Sequence, residues 1–370
     1  MRVLHIAQVE KIAGAERHLL HLLPALKKEG IDAEMLCIFS HQPPPAAFID
    51  ELRAGDVPVH SLKLPQTTPL ISPKTPNTIR QLAKFIRTRQ PDAIHTHLYH
   101  GDFWGGLAGW WVRVPVRIST RHNVDSYRQK RQWGLLAKVF TQNVAIAQAV
   151  ADFTHTAEHV PYHKITIIYH GITPPIPMPK ADARQRLNLP ADALVIGTVA
   201  RLTAQKGLDN GINAFARIAD DFPNAHYILA GDGDLQQALT AQADALGLSE
   251  RIHFLGWQAD TAPIYAASDL FLFPSLWEGF GIVLLEAMSY HLPIIACAVD
   301  AIPEIVIDGE TGLLTPPKDV EKIAHALQKL LSDEPLRGRM GEGGYTRLTD
   351  QFTLQAMVNR HVALYLASGK

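Results

Sequence analysis

Two glutamates flank a Gly-Phe-Gly turn in the second half of the chain, where Glu278 and Glu286 stand eight residues apart. The apolar run at residues 269–274 is typical of a buried strand, and residues 282–290 have helical character. Because the first amides of a helix lack intrahelical partners, this turn favours an anionic ligand. The alternative is a solvated loop glutamate followed by a glutamate on a helix surface.

Two cations follow another predicted strand. Residues 194–200 form an apolar run, and Arg201 and Lys206 come directly after it. Arginine offers a planar fork and lysine a mobile point charge, a combination that suits a diphosphate. An exposed basic loop before a helix at residues 208–220 is the alternative interpretation.

Glycines end two further predicted strands. Residues 226–230 lead into Gly231 and Gly233, and residues 251–255 lead into Gly256. Four strands that end in glycine or charged loops indicate one shared ligand-binding edge, as expected for an open parallel sheet.

These motifs together resemble the donor-binding domain of the retaining family 4 glycosyltransferases, which have the GT-B fold. A segment near the beginning of the chain is similar to the family's glycine-rich first loop, so the match covers nearly the whole sequence. In chain order the motifs are residues 13–17, Arg201 with Lys206, residues 231–233, residues 254–256, Glu278 with Glu286, and residues 309–312.

The resemblance implies a role for each matching residue. The catalytic group comprises His97, Arg201, Lys206 and Glu278. The donor-binding group comprises Gly14, Gly231, Gly233, Leu255, Gly256, Phe280, Gly281, Ile282 and Glu286. The acceptor-side group comprises Glu16, Arg121, His122 and Asn123. Glu286 is expected to accept hydrogen bonds from the donor ribose, and Glu278 to hold sugar hydroxyls.

Histidine is concentrated in the first half, which holds 13 of the 18 histidines before residue 171. His95, His97 and His100 surround one predicted strand end, and His122 follows another. Three interpretations stay open: a zinc site, satisfied core or surface histidines, and residues that face sugar hydroxyls. By resemblance, His97 matches a family histidine that contacts the donor sugar.

Strands and helices alternate throughout, which predicts an α/β fold with two doubly wound, Rossmann-like domains facing each other across a cleft. Residues 171–179 contain four prolines and are expected to be the interdomain linker. The predicted acceptor-side domain covers residues 1–170, with a crossing helix at residues 352–370. Residues 180–351 form the predicted donor-binding domain.

Composition agrees with two ordinary cores, because 47% of the 370 residues are hydrophobic and 19% charged. The chain opens directly into a predicted strand, and no apolar run approaches the ~20 residues of a membrane span. Cys37 and Cys297 both lie in apolar runs and are expected to be buried, reduced thiols. We expect a cytoplasmic protein.

Charge divides the chain unequally. Residues 1–170 carry 20 Lys and Arg against 13 Asp and Glu, net +7, and the remainder is net −8. A basic first half suits an anionic partner such as an inner-leaflet lipid, or it attracts the acidic half. Residues 127–140 alternate cations with Trp133, Leu136 and Phe140, which predicts either a membrane-surface helix that inserts these side chains or an ordinary packed helix.

The resulting functional hypothesis is transfer of a hexose or N-acetylhexosamine from a UDP- or GDP-sugar to a glycan or glycolipid hydroxyl, with retention of configuration. Arg201 and Lys206 are expected to replace a divalent metal at the diphosphate, and no cofactor, metal or nucleic-acid partner is expected. A GT-B isomerase or phosphorylase and a non-catalytic nucleotide-sugar sensor are the alternatives.

Overall fold

A computed structural model describes residues 1–65, 73–124 and 136–368. The chain forms two compact units. The first unit comprises Met1–Gly171 and Leu354–Lys370, and the second comprises Ile172–Thr353. The second unit is therefore inserted between two parts of the first.

The first unit is built on a parallel seven-stranded sheet in the order β3-β2-β1-β4-β5-β6-β7. Its strands are β1 (Arg2–Ala7), β2 (Asp32–Phe39), β3 (Val59–Lys63), β4 (Ala93–His97), β5 (Val116–Arg121), β6 (Gln142–Ala145) and β7 (Ile165–Ile167). The central strands β1 and β4 are almost entirely buried, in keeping with a parallel sheet covered on both faces.

Helices of the first unit cover this sheet, and one of them comes from the far end of the chain. They are α1 (Gly14–Lys28), α2 (Ala46–Ala54), α3 (Thr75–Arg89), α4 (Leu98–Trp111), α5 (Gln148–Glu158) and α14 (Leu354–Ser368). Met357, Val358, Leu364 and Tyr365 of α14 belong to the same apolar core as the buried face of α1.

The second unit has a parallel six-stranded sheet in the order β10-β9-β8-β11-β12-β13. Its strands are β8 (Leu194–Val199), β9 (Ala225–Ala230), β10 (Ile252–Gly256), β11 (Leu270–Phe273), β12 (Ile294–Cys297) and β13 (Gly312–Thr315). Its helices are α6 (Lys180–Arg186), α7 (Leu208–Ile218), α8 (Gln236–Ala245), α9 (Ala262–Ala267), α10 (Ile282–Ser289), α11 (Ile302–Ile305), α12 (Val320–Ser332) and α13 (Glu334–Gln351).

The predicted parallel α/β architecture is confirmed, and the predicted strands lie within about two residues of the observed ones. The segment at residues 127–140 gives a different result. Residues 125–135 lie outside the described residues, but Leu136 and Phe140 are 5% and 1% exposed and pack with Val139. The prediction that Leu136 and Phe140 insert into a membrane is therefore wrong, because these side chains form a small apolar core. Across the described residues, no helix is long and apolar enough to cross a bilayer.

Candidate functional site: the charged strand ends of the second unit and the histidine core of the first

Lys206 and Glu278 meet at the carboxyl ends of β8 and β11. The lysine Nζ donates to Glu278 Oε2, and the two side chains are only 12% and 13% exposed. Lys206 also lies 4.9 Å above the ring centroid of Phe273. A lysine held by a carboxylate and an aromatic face is a fixed positive charge at the sheet edge.

The two loops that carry this ion pair are held together by Gln205. Its side-chain amide donates to the Trp277 carbonyl at 2.9 Å, and its own carbonyl accepts from the Leu276 amide at 2.8 Å. Arg201 is exposed and donates to the Gln205 amide oxygen at 3.2 Å. Arg201 is thus placed on the same loop as Lys206, with an exposed side chain.

Left-handed glycines shape these loops. Gly207 has φ +56°, and a Cβ atom there would lie 2.4 Å from the Pro274 carbonyl oxygen. Gly281 has φ +90° and immediately precedes α10. Glycine adopts such backbone with the least strain, and α10 begins directly after Gly281, so its first amides, from Ile282, lie at this turn.

The glycines after β9 allow a close backbone approach. A Cβ atom on Gly231 would lie 1.9 Å from the Ala200 carbonyl oxygen, and one on Gly233 would lie 2.4 Å from the Leu202 carbonyl oxygen. The Gly231 amide also donates to the Gly256 carbonyl at 2.8 Å. These glycines bring the ends of β8, β9 and β10 together, with Leu255 preceding Gly256 on β10.

Glu286 lies one turn into α10, as predicted. Its carboxylate accepts a hydrogen bond from the Tyr265 hydroxyl at 2.5 Å, which fixes its direction. Phe280 is 2% exposed and packs edge to face on Phe352 at 6.0 Å between ring centroids. Phe280 therefore anchors the turn through its side chain, and any contact of this residue with a donor would involve its backbone.

The predicted acceptor-side residues of the first unit are mostly engaged within the protein. Gly14 opens α1, and the Glu16 carboxylate accepts from the Ala13 amide at 3.0 Å as a helix cap. Arg121 is 5% exposed and donates to Asp102 and Glu158 at 2.7 and 2.8 Å. These contacts give Glu16 and Arg121 structural roles, and their roles toward an acceptor stay predictions.

Asn123, also predicted on the acceptor side, is exposed, and its side-chain oxygen accepts from the Val124 amide at 2.8 Å. This contact with the next residue stabilises the turn after β5. The acceptor role of Asn123 also stays a prediction.

Seven imidazoles gather in the first unit, far more than the strand-end histidines predicted from sequence. His97, expected to contact the donor sugar, is 0% exposed and lies 3.0 Å from His5 and 3.3 Å from His122 through its two ring nitrogens. The seven are His5, His18, His95, His97, His122, His170 and His361. Contact between His97 and a sugar would require one of these hydrogen bonds to be exchanged.

Burial keeps this cluster neutral. It lowers the pKa of His5 to about 3 and that of His361 to about 4, and it lowers the pKa of His95 and His97 well below the ordinary value near 6.5. Neutral imidazole is also the form that binds metals. Among the described residues, His5, His95 and His97 offer ligand nitrogens within 4.8 Å of one another, whereas His100 is not part of that group.

Sequence reasoning missed three residues that support the two sites: His5, Tyr265 and Asp300. His5 pairs in register with His95 across β1 and β4, so the strand alignment was the signal. Asp300 accepts from the Glu278 amide at 2.8 Å, and it follows β12 in a loop that the sequence did not single out. Tyr265 lies on the short helix α9 before β11, with no sequence pattern that ties it to Glu286.

Two family models account for most of the chain. Residues 12–174 match the description Glycosyltransferase Family 4, and residues 179–347 match Glycosyl transferases group 1. The mannosyltransferase LpsB of lipopolysaccharide core biosynthesis in Rhizobium meliloti is 30% identical over 264 residues, which cover 69% of this chain and 74% of LpsB. The chain belongs to the family 4 glycosyltransferases.

Other similarities extend over the full length of this glycosyltransferase. LpsE of Rhizobium meliloti, a glycosyltransferase of lipopolysaccharide core biosynthesis, is 27% identical over 369 residues and 98% of each chain. The structure of Anabaena Alr3699/HepE in complex with UDP superposes with a TM-score of 0.85 at 22% identity, covering 100% of both chains. The fold of the glycosyltransferase is therefore GT-B, with two Rossmann-like α/β domains, as the resemblance implied.

Proposed function

We propose that this glycosyltransferase moves a hexose or N-acetylhexosamine from a UDP- or GDP-sugar to a hydroxyl of a lipid-linked or polysaccharide acceptor, in the synthesis of a cell-surface glycan. The observation that carries the proposal is the partly buried Lys206–Glu278 pair beside the left-handed turn at Gly281. It joins a fixed cation, a carboxylate and a helix N-terminus at one sheet edge. The relatives LpsE and LpsB, both named for lipopolysaccharide core biosynthesis, support a glycan acceptor.

The charges of the second unit fit a donor diphosphate. Arg201 and Lys206 neutralise the charge that grows on the departing diphosphate, which is greatest in the transition state. Donor binding draws Lys206 from Glu278 toward phosphate and leaves the carboxylate to accept hydrogen bonds from sugar hydroxyls. Glu286, already oriented by Tyr265, accepts from the ribose hydroxyls.

Transfer proceeds with retention by attack on the face from which the diphosphate leaves. The bond between the anomeric carbon and the phosphate oxygen breaks, and the bond to the acceptor oxygen forms on the same face. Because attack and departure share one face, no protein carboxylate has to act as nucleophile. A phosphate oxygen of the donor takes the acceptor proton. Measuring the anomeric configuration of the first-formed product by NMR tests this step, and an inverted product would exclude it.

Fixed protein cations replace a divalent metal in this scheme, and no cofactor takes part beyond the nucleotide-sugar co-substrate. Activity should therefore survive excess EDTA. Loss of activity in EDTA that manganese or magnesium restores would contradict the assignment of Arg201 and Lys206 to the diphosphate.

The proposed enzyme is cytoplasmic and associates with the inner face of the membrane. The free cysteines Cys37 and Cys297 are buried thiols, which agrees with a reducing compartment. Arg80, Lys84 and Arg87 lie on one exposed face of α3 beside Trp111, around a groove of about 380 Å³. Cations beside an exposed indole suit an anionic lipid surface.

A thermal-shift screen of UDP-, GDP- and ADP-sugars tests donor binding, because a ligand that binds only the folded state raises apparent stability. UDP-sugars come first, since the Anabaena protein of the same fold binds UDP. Donors that shift the melting temperature are then assayed with membrane glycolipid acceptors. Hydrolysis or epimerisation with no acceptor-dependent product would contradict glycosyl transfer.

A further inference from the structure

A continuous chain of hydrogen bonds runs through the histidine core of the first unit. The Thr120 hydroxyl lies 2.6 Å from His95 Nε2, and His95 Nδ1 lies 2.7 Å from the Tyr365 hydroxyl. The same hydroxyl lies 3.5 Å from His5 Nε2. His5 Nδ1 and His97 Nε2 are 3.0 Å apart, and His97 Nδ1 and His122 Nε2 are 3.3 Å apart.

The proton positions along this chain depend on one another. A neutral imidazole has one N–H donor and one nitrogen acceptor, so a choice made at one ring decides the tautomer of the next. The Tyr365 hydroxyl has a single proton, which it donates either to His95 or to His5. The shorter distance, 2.7 Å to His95, fits the hydroxyl as donor there, and the 3.5 Å distance leaves His5 as donor to the hydroxyl.

This direction fixes every other link. His95 Nε2–H donates to Thr120, His97 Nε2–H donates to His5 Nδ1, and His122 Nε2–H donates to His97 Nδ1. The chain then ends on a lone pair at His122 Nδ1. That nitrogen is buried and has no hydrogen-bond partner among the described residues.

We propose that Tyr365, His5 and His95 are positioning residues, which set the tautomers of His97 and His122 so that His122 offers an accepting Nδ1 to a substrate hydroxyl. This inference rests on the proposed function, because it places His122 on the acceptor side. It also transfers the direct hydroxyl contact from His97 to His122. Both nitrogens of His97 are engaged by neighbouring imidazoles, whereas His122 Nδ1 is the unpartnered end of the chain.

The rings that surround the chain are themselves buried histidines. His18 and His170 lie 5.6 and 5.7 Å from His122 between ring centroids, and His361 lies 5.9 Å from His95. Arg121, which precedes His122, is paired with the two carboxylates of Asp102 and Glu158. Among the described residues, the rings around the chain are thus other histidines whose pKa burial lowers, so the chain operates through tautomers of neutral rings.

The deciding variant is Tyr365→Phe, which removes the hydroxyl and retains the ring. Nitrogen-15 NMR of the imidazoles in the full-length protein should show a single tautomer at His97 and His122 in the wild type and a mixture in the variant. Loss of one hydrogen bond should lower kcat about tenfold while the donor KM is unchanged. Tyr162→Phe, which removes an exposed hydroxyl from the same unit, should change neither quantity.

Thr120 gives an independent pair of variants at the other end of the chain. Thr120→Val removes the hydroxyl that accepts the hydrogen bond from His95 Nε2–H and should reproduce the Tyr365→Phe result. Thr120→Ser keeps a hydroxyl and should retain the wild-type tautomers. Single, unchanged tautomers at His97 and His122 in both Tyr365→Phe and Thr120→Val would overturn the inference. Stoichiometric zinc in the purified protein would overturn it too, because His5, His95 and His97 would then be ligands.

The two proposals can fail separately. If the wild-type protein transfers no sugar from any donor, the proposed function fails, and the NMR spectra still decide whether Tyr365 sets the tautomers. If transfer is observed and the tautomers do not respond to the variants, only the positioning role fails.

Discussion

Lys206 and Glu278 form the ion pair on which the donor site depends. Lys206→Ala and Arg201→Ala should each lower kcat/KM, with a loss of about 2–4 kcal/mol in transition-state stabilisation. Each variant removes a positive charge that stabilises the leaving diphosphate. Steady-state kinetics with the donor found by thermal shift measures the effect. Lys329→Ala, which removes an exposed lysine from α12, is the matched control and should leave kcat/KM unchanged.

The assignment of the two cations would be wrong if both variants retained wild-type kcat/KM with every donor that binds. Circular dichroism should confirm the folded state of each. Lys206→Ala leaves Glu278 partly buried without its partner, so a lower melting temperature is expected for that variant and not for Arg201→Ala.

At the level of single residues, sequence predicted which side chains carry charge at the strand ends but not which of them pair. Lys206 and Glu278 are 72 positions apart, and their meeting depends on loop directions that only the folded sheet defines. The family motif identified His97. Its burial could not be predicted, because other rings of the cluster, His5, His18 and His361, come from other elements. A strand alignment of β1 with β4 was needed to place His5 beside it.

Glycine positions at the strand ends should differ sharply in their tolerance of a side chain. Gly231→Ala places a Cβ 1.9 Å from the Ala200 carbonyl oxygen at φ +141°, so the loop between β9 and α8 has to shift. We expect a loss of about 1–3 kcal/mol in the free energy of unfolding of the second unit. Urea denaturation measures it.

Gly14→Ala, at the start of α1 in the first unit, is the control, because a Cβ there meets no atom within 4 Å. Alanine at the start of α1 should leave stability unchanged or raise it slightly, by less than about 1 kcal/mol. Equal stability of Gly231→Ala and the wild type would show that close backbone approach at this strand end is unnecessary for folding.

Elements were predicted well where hydrophobic periodicity and glycine or proline signals agree, as in β1, β8 and α7. The failure at Leu136 and Phe140 has a physical origin. A stripe of apolar side chains at helical spacing is the same whether it faces lipid or protein, and here Val139, Tyr99 and Phe103 supply the protein surface. Trp110 and Trp111 are 56% and 47% exposed. Their exposure could not be predicted from the sequence, since most of α4 is apolar and shows no periodic pattern.

Across the whole molecule, acid should destabilise the first unit more than the second. The folded pKa values of His5 and His361, about 3 and 4, lie below the unfolded value near 6.5. The unfolded state therefore binds more protons below pH 6.5. The contribution of these histidines to the free energy of unfolding is fully present above that pH and is lost as the pH falls toward 3. Each such histidine contributes a slope of about 1.4 kcal/mol per pH unit.

Hydrogen exchange between pH 7.5 and 5 measures this loss unit by unit. His361→Gln should reduce the proton uptake on unfolding by about one, whereas His325→Gln, at an exposed position on α12, should leave it unchanged. A first unit as stable at pH 5 as at pH 7.5 would contradict the burial of neutral imidazoles.

Membrane association involves the surface of the whole molecule. Sedimentation with vesicles should increase with anionic lipid content and decrease with added salt. Replacing Arg80, Lys84 and Arg87 with Ser should weaken binding by about 1 kcal/mol per cation. The same change at Lys318, Lys322 and Lys329 of the second unit controls for net charge.

A parallel variant in which Arg128, Lys130 and Arg131 become Ser compares the α3 face with the basic segment predicted from sequence, which lies outside the described residues. Weaker binding in only one of the two variants would locate the contact. Indifference of the wild type to lipid charge, together with efficient transfer to a soluble acceptor, would rule out a peripheral membrane enzyme.

The ribosome synthesises α14 last, long after the rest of the first unit. The first sheet is complete at Ile167, but the helix that covers its histidine core begins only at Leu354. At typical synthesis rates the interval is roughly 10–40 s. During it the nascent first unit holds an uncovered apolar face and water-exposed imidazoles, a state that chaperones bind. The second unit can therefore fold completely before Tyr365 is available to the first unit.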